Sequence, residues 1–280
     1  MTGPVVAGFD GSPESVAATA WAAREAQRRD CPLRLLQARP RPKRNAADDE
    51  RERGHAVERL GSRETELRAL VEVPVSSALV PDGPAAALED ASRDAALLVL
   101  GSRGLGAVRG FLVGSVSHEV LRRAGCPVVL VRPGEDEPEG PVLVGLDLVH
   151  PMEEVLAFAF DAAVRYSAPL RVVHVWSPPV GSEYMAFEAI GGLETELSSV
   201  ERTRFTELLE PWRARYPELD VTTDLIRGSA AVALVDAAGA ARLLVVGRRV
   251  RRTLLGAHLG PVAHAAIHHA RCPVALVRHA

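Results

Sequence analysis

The sequence predicts an α/β fold made twice: two tandem doubly wound domains, each with a parallel sheet flanked by helices. Three observations lead there. Short apolar runs bounded by glycine or proline alternate with longer segments of helical periodicity, the pattern of buried parallel strands joined by crossover helices. The run Val142-Leu-Val-Gly-Leu-Asp147 repeats Val5-Val-Ala-Gly-Phe-Asp10, and Arg271-Cys-Pro-Val274 repeats Gly125-Cys-Pro-Val128. From Leu88 against Leu234 to the last strand the halves align without a gap, so the chain is an internal duplication.

The elements follow in order. Pro4–Phe9 reads as the first strand, closed by Asp10-Gly11-Ser12. Ser12 is an N-cap candidate and Pro13 suits the first helical position, so a helix starts there, with Val16, Ala20, Ala23 and Ala26 inward. Asp30 and Pro32 stop it. Leu33–Ala38 is the second strand, Arg39–Asp49 a charged loop, and Glu50–Leu70 a helix burying Val57, Leu60 and Leu67. Val71–Val80 reads as the third strand and Ala85–Ser92 as the third helix. Ala95–Leu100 is the fourth strand, Val116–Ala124 the fourth helix, and the run from Cys126 to Val131 the fifth strand.

Pro133–Pro141 is rich in glycine and acid and reads as a linker, giving a first domain over 1–134, a connection over 135–141 and a second domain over 142–280. Beyond it Leu170–Trp176, a helix over roughly Gly192–Tyr216, Leu219–Arg227 and Ala240–Val246 repeat the same order.

Composition narrows the function. With 47% hydrophobic residues over 280 positions the chain can bury one or two cores. A formal net charge of −3 gives no general attraction to nucleic acid or membrane. The amino terminus carries no basic, apolar leader, and no stretch approaches a membrane span, so a cytoplasmic location is expected. Cys31, Cys126 and Cys272 are odd in number and form no C-x-x-C pair; Cys126 and Cys272 each precede Pro-Val and a buried strand and read as core residues.

The chemistry concentrates after the fourth strand. Gly101-Ser-Arg-Gly104, a nine-residue spacer and Gly114-Ser115 lead from that strand into the fourth helix. Ser115 is expected as the N-cap, so backbone N–H groups and the positive end of a helix dipole face the loop. Glycines let backbone amides approach an anion without a Cβ in the way, and the arrangement suits phosphate. This G-x-x-G, nine residues, G-S pattern resembles the nucleotide loop of the universal stress protein family, in its ATP-binding branch, and the likeness extends over nearly the whole chain as a tandem pair.

The resemblance implies a five-stranded parallel sheet in the order 3-2-1-4-5 in each domain, with the ligand beyond the carboxyl ends of strands one and four. It further implies that Gly8, Phe9 and Asp10 lie along the nucleoside, with Asp10 near ribose or metal, and that Ala38 meets adenine through its backbone. Gly101, Arg103 and Gly104 would line the ribose and phosphates. Gly114, Ser115, Val116 and Ser117 would donate hydrogen bonds to the phosphates. The implied ligand is ATP or another adenine nucleotide, with Mg2+ as an accompanying ion. Single-domain members dimerise through their last strands, so Val128–Val131 and Val274–Val277 are expected to pair within this chain, leaving a further homodimer open.

The second copy departs from the pattern. Gly247 is kept, but Val250 stands at the position of Gly104 and Gly260-Pro261 at that of Gly114-Ser115. A β-branched residue adds bulk and proline removes an N–H and the hydroxyl, so this copy reads as a degenerate phosphate site. Its Arg248, Arg249, Arg251 and Arg252 read as a solvated basic loop. His264 and His268 stand four apart on a helix, but no third ligand has a convincing spacing and no metal site is expected.

No G-x-x-x-x-G-K-[ST] loop, G-x-S-x-G elbow or receiver-type acidic pair is present. No histidine is placed to activate Ser12, and no general base is visible, so ATP hydrolysis or autophosphorylation is expected to be slow at most. Two function classes remain: a nucleotide-responsive stress or regulatory protein that engages a protein partner, or a non-nucleotide interaction scaffold of the same fold.

Overall fold

The structure, a computed structural model, describes residues 3–40, 46–104, 111–112, 114–134, 138–177, 187–249, 251–253 and 256–279. Strand β1 (Val5–Gly8) leads into helix α1 (Pro13–Arg29), followed by β2 (Leu33–Ala38), α2 (Ala46–Arg68), β3 (Val75–Val80), α3 (Pro84–Ala91) and β4 (Leu97–Gly101). A small hairpin, β5 (Arg103–Gly104) and β6 (Phe111–Leu112), precedes α4 (Ser115–Arg123) and β7 (Val128–Val131). The second repeat runs β8 (Val142–Leu146), α5 (Glu153–Tyr166), β9 (Leu170–Trp176), α6 (Phe187–Arg215), β10 (Val221–Arg227) and α7 (Ala230–Ala237). It continues through a 3-10 turn at Ala238–Ala240, β11 (Leu243–Arg248), the hairpin β12 (Arg251–Thr253) and β13 (Gly256–His258), α8 (Pro261–His269) and β14 (Val274–Arg278).

All strands but the hairpins join one ten-stranded sheet, ordered β10-β9-β8-β11-β14-β7-β4-β1-β2-β3. Each half is the expected parallel 3-2-1-4-5 arrangement. The halves meet where β7 and β14 pair antiparallel, with Val274 opposite Leu130 and Leu276 opposite Val128. Two apolar edges that would otherwise lie open therefore close on each other. One core lies on the face covered by α1, α2, α5 and α6. The other lies on the face covered by α3, α4, α7 and α8.

Local chemistry explains the element ends. Ser12 caps α1, its side chain accepting from the Ser15 N–H at 3.3 Å, and Pro13 occupies the first turn. The same helix ends on Asp30 in the left-handed region, and α5 ends likewise on Ser167. Several expectations shift. The third strand begins at Val75 rather than Val71, because the chain bends at Glu72 and Val73. Helices α2 and α6 start earlier than expected, at Ala46 and Phe187. Val57 and Val16 are exposed, at 50% and 38%; Ala56, Leu60 and Leu67 make the inner stripe of α2, and Ala18, Ala22 and Ala26 that of α1. Apolar character alone did not decide the stripe; the 3.6-residue period did.

Candidate functional site

The first repeat holds a cavity of about 280 Å3 at the carboxyl ends of β1 and β4. Those strands are adjacent and parallel, with Val5 opposite Leu97 and Ala7 opposite Val99. Their following helices, α1 and α4, pack on opposite faces, so the crevice opens where the connections diverge. Nine of the sequence-derived positions line it: Gly8, Phe9, Asp10, Ala38, Gly101, Gly114, Ser115, Val116 and Ser117. Arg103 and Gly104 form β5, paired with Leu112 and Phe111. The tip of that hairpin, 105–110, lies outside the described residues.

Sequence reasoning missed Ser12, Glu14, Ser15, Leu36, Pro84, Leu88 and Leu100, which also line the cavity. The signal was present in the capping pattern at Ser12-Pro13, since the helix that follows β1 must open at the same rim as β1 ends. The apolar members read as ordinary core residues and carried no signal of their own.

The amino end of α4 forms one side of the crevice. Gly114, not Ser115, is the N-cap, with φ −61° and ψ 154°, and Ser115 is the first helical residue. No side chain caps this end, and the first intrahelical bond runs from His118 N–H to the Gly114 carbonyl. The N–H groups of Ser115, Val116 and Ser117 precede that bond and have no partner within the helix, the arrangement of a helix start that accepts an anion.

The glycines divide by role. A Cβ on Gly101 would stand 2.6 Å from the Glu14 carbonyl carbon and 2.7 Å from its oxygen, so Gly101 exists for the close approach of α1 to β4. A Cβ on Gly8 would stand 2.8 Å from Leu100 Cδ2. By contrast, nothing lies within 4 Å of a Cβ on Gly114, so the fold leaves that space open.

Asp10 sits at the rim and its Oδ1 accepts from the Ser12 N–H at 2.9 Å and from the Ser12 hydroxyl at 2.5 Å. The Ser15 hydroxyl in turn accepts from the Asp10 N–H at 3.3 Å. This Asx turn holds the carboxylate beside the cavity. Glu14 also lines the cavity.

At the equivalent place in the second repeat, side chains bond to one another. Arginine is only a donor, so Arg249 donates to His150 Nε2, and His150 Nδ1–H then donates to Asp147 Oδ2 at 2.7 Å. The Val149 N–H adds a bond of 2.8 Å to Asp147 Oδ1. Burial opposes ionisation of Asp147, but the Val149 amide, His150 and Arg249 outweigh it and hold its pKa below the usual carboxylate value. The His279 ring stands 2.7 Å from where a Cβ on Gly247 would be. Gly260 has φ −64° and ψ 161°, nearly the geometry of Gly114, with Pro261 as the next residue. The backbone of the two helix starts is thus alike, and the difference is a missing amide and hydroxyl.

The basic loop needs correcting. Arg248 is fully buried, and its guanidinium donates to the carbonyls of Leu121 and Ala124 at the end of α4 in the first repeat. Burial, chiefly, and the nearby Arg278 lower its pKa to about 10, so it stays charged at neutral pH. Arg132 answers from the first repeat, donating to the Ile267 carbonyl near the end of α8 at 2.8 Å. Arg249 is occupied by His150, and the side chains of Arg251 and Arg252 lie outside the described residues. On the other sheet face, buried Glu25 accepts from the Tyr166 hydroxyl at 2.8 Å and from Arg29 at 2.6 Å, tying α1 to α5. Cys126 and Cys272 are buried thiols whose pKa burial pushes up to about 11.

Two doubly wound halves joined edge to edge, the first with a crevice beyond β1 and β4, define a tandem α/β protein of the Rossmann-like class. A profile of the Universal stress protein family matches residues 1–132 and again 140–278. The chain belongs to that family. A universal stress protein of Mycobacterium tuberculosis H37Rv is 36% identical over 291 residues, covering 98% of this chain and 96% of the relative. A second from the same organism is 33% identical over the same length and coverage. The crystal structure of a universal stress protein from Archaeoglobus fulgidus has the same fold, with a TM-score of 0.73 at 17% identity, covering 99% of this chain and 98% of that one. Among the described residues no helix is long and apolar enough to cross a membrane.

Proposed function

We propose that the first repeat binds ATP, with Mg2+, and that the chain acts as a nucleotide-responsive stress or regulatory protein. The observation that carries this reading is the crevice of about 280 Å3 beyond β1 and β4, lined by residues from stretches far apart in sequence. That volume is near the lower end of the roughly 300–1,000 Å3 of small-molecule sites and suits a nucleoside, with the phosphates at its open rim. Leu36, Ala38, Leu88 and Leu100 offer apolar surface to a base, and Gly8 and Phe9 the backbone beside it. Ser115, Val116 and Ser117 face the phosphates, and the β5–β6 hairpin with Arg103 and Gly104 covers them. Asp10 and Glu14 supply carboxylates of the kind Mg2+ takes together with phosphate oxygens.

The domains are residues 1–134 and 142–280, with 135–141 as the connection. The second carries no nucleotide. Strand β6 lies beside α8, so a phosphate that orders the hairpin is felt by the second repeat. A protein partner reads the result.

The test is the ligand that accompanies the purified full chain. Acid precipitation followed by chromatography should release adenine nucleotide near one equivalent per chain. Nucleotide-free protein that also takes up no added ATP would leave the scaffold reading in its place.

A further inference from the structure

The seam between the repeats carries a cluster that linear spacing conceals. His264 and His268 stand one turn apart on α8, with ring centroids 4.4 Å apart. From the other repeat, α4 presents His118, whose ring centroid is 6.4 Å from that of His264 and 6.0 Å from that of His268. One nitrogen from each ring lies within 4.8 Å of the other two. His118 and His264 are equivalent positions of the duplication, and a two-fold arrangement brings such positions together wherever they lie near its axis. His268 replaces the Arg122 of the first repeat and supplies the third ring.

We propose that His118, His264 and His268 form a site for one divalent transition metal ion of the zinc class, bridging the two repeats. Three imidazoles at this spacing need only small rotamer changes to reach the roughly 2.0–2.1 Å Zn–N distance. Nitrogen donors alone select zinc, cobalt, nickel or copper and discriminate against Ca2+ and Mg2+, which take oxygen ligands. Among the described residues no fourth ligand joins the group, so the remaining coordination position is open to water. Burial first, and then neighbouring imidazoles, lower the pKa of His118 and His264, which keeps their lone pairs available near neutral pH. Arg122 adds a cationic influence on His118, but it is exposed and its head group has solvent to turn into. His269 is exposed and stands outside the group: its ring centroid is 6.4 Å from that of His268, and it acts on His264 only through its charge.

The experiment uses the full chain without an affinity tag, stripped with chelator and titrated with Co2+, then with Zn2+. One Co2+ per chain should bind with the intense visible absorption of tetrahedral nitrogen coordination, and Zn2+ should displace it. His118→Gln should lose affinity by at least the roughly 10- to 100-fold that even an outer-shell change costs. His264 is exposed, so His264→Gln keeps the fold and must show the same loss, while His269→Gln should bind as the parent does. Failure of the parent chain to take up Co2+ would overturn the proposal. So would undiminished uptake by His118→Gln, which would reduce the site to a two-histidine contact on one helix.

Discussion

Arg248 in the second repeat donates from Nη2 to the carbonyl oxygen of Ala124 in the first, at 2.8 Å. That bond, with its companion to Leu121, satisfies last-turn carbonyls of α4 and places a cation at the negative end of its dipole. The second repeat therefore completes the carboxyl end of the helix whose amino end faces the candidate phosphate position.

Arg248→Met keeps the bulk but leaves those carbonyls without the donor. It should cost about 1–3 kcal/mol in denaturant unfolding of the full chain. A midpoint and slope equal to the parent's would show that the contact contributes nothing net.

Gly101→Ala and Gly114→Ala should separate packing from binding. The first drives a Cβ into the Glu14 backbone and should destabilise by about 1–3 kcal/mol, an overpacking penalty. The second meets nothing within 4 Å and should cost less than about 1 kcal/mol, while still weakening ATP binding by crowding the phosphate end. Equal stability losses in the two variants would contradict this division.

Acid stability should depend on Asp147. Its folded pKa lies below the ordinary value, so its contribution is complete above the unfolded pKa of about 3.9 and disappears as pH falls through the lower folded value. Asp147→Asn should therefore flatten the acid limb of the stability–pH curve and change little of its shape above about pH 5. An acid limb identical to the parent's would remove Asp147 from the account.

The first repeat alone, residues 1–135, should self-associate, because β7 loses its partner β14 and leaves an apolar edge. Light scattering should report a dimer. A soluble monomer at high concentration would show that the seam does not depend on that edge.

The alternation of strands and helices and the internal duplication were legible because apolar runs, caps and repetition all pointed to one arrangement, while the strand order came from the family resemblance. Nine of the positions that the resemblance implied line the crevice. The hairpins were not legible, since two- and three-residue strands carry no periodicity. Arg248 looked like loop because it follows Gly247 in a basic run, yet β11 extends through it and turns it into the seam. His118 lies 146 residues from its equivalent His264, a separation set by the duplication and invisible to local ligand spacing. Gly101 lines the crevice as expected, and its lack of a Cβ also answers to the close approach of the Glu14 backbone, which no local pattern announced.

The central claim is one ATP per chain, held by the first repeat, and calorimetric titration of ATP into the full chain tests it most directly. Gly260-Pro261 keeps the backbone of Gly114-Ser115, so Ser115→Pro should preserve the fold while removing an amide and a hydroxyl. Together with Gly104→Val, the residue pair of the second repeat, it should remove two or three charge-assisted bonds of about 1.5–3 kcal/mol each, and so lower affinity by two or more orders of magnitude. The account predicts a stoichiometry near one for the parent chain and no measurable tight binding for the double variant. A stoichiometry near two, or affinity undiminished in the variant, would contradict it.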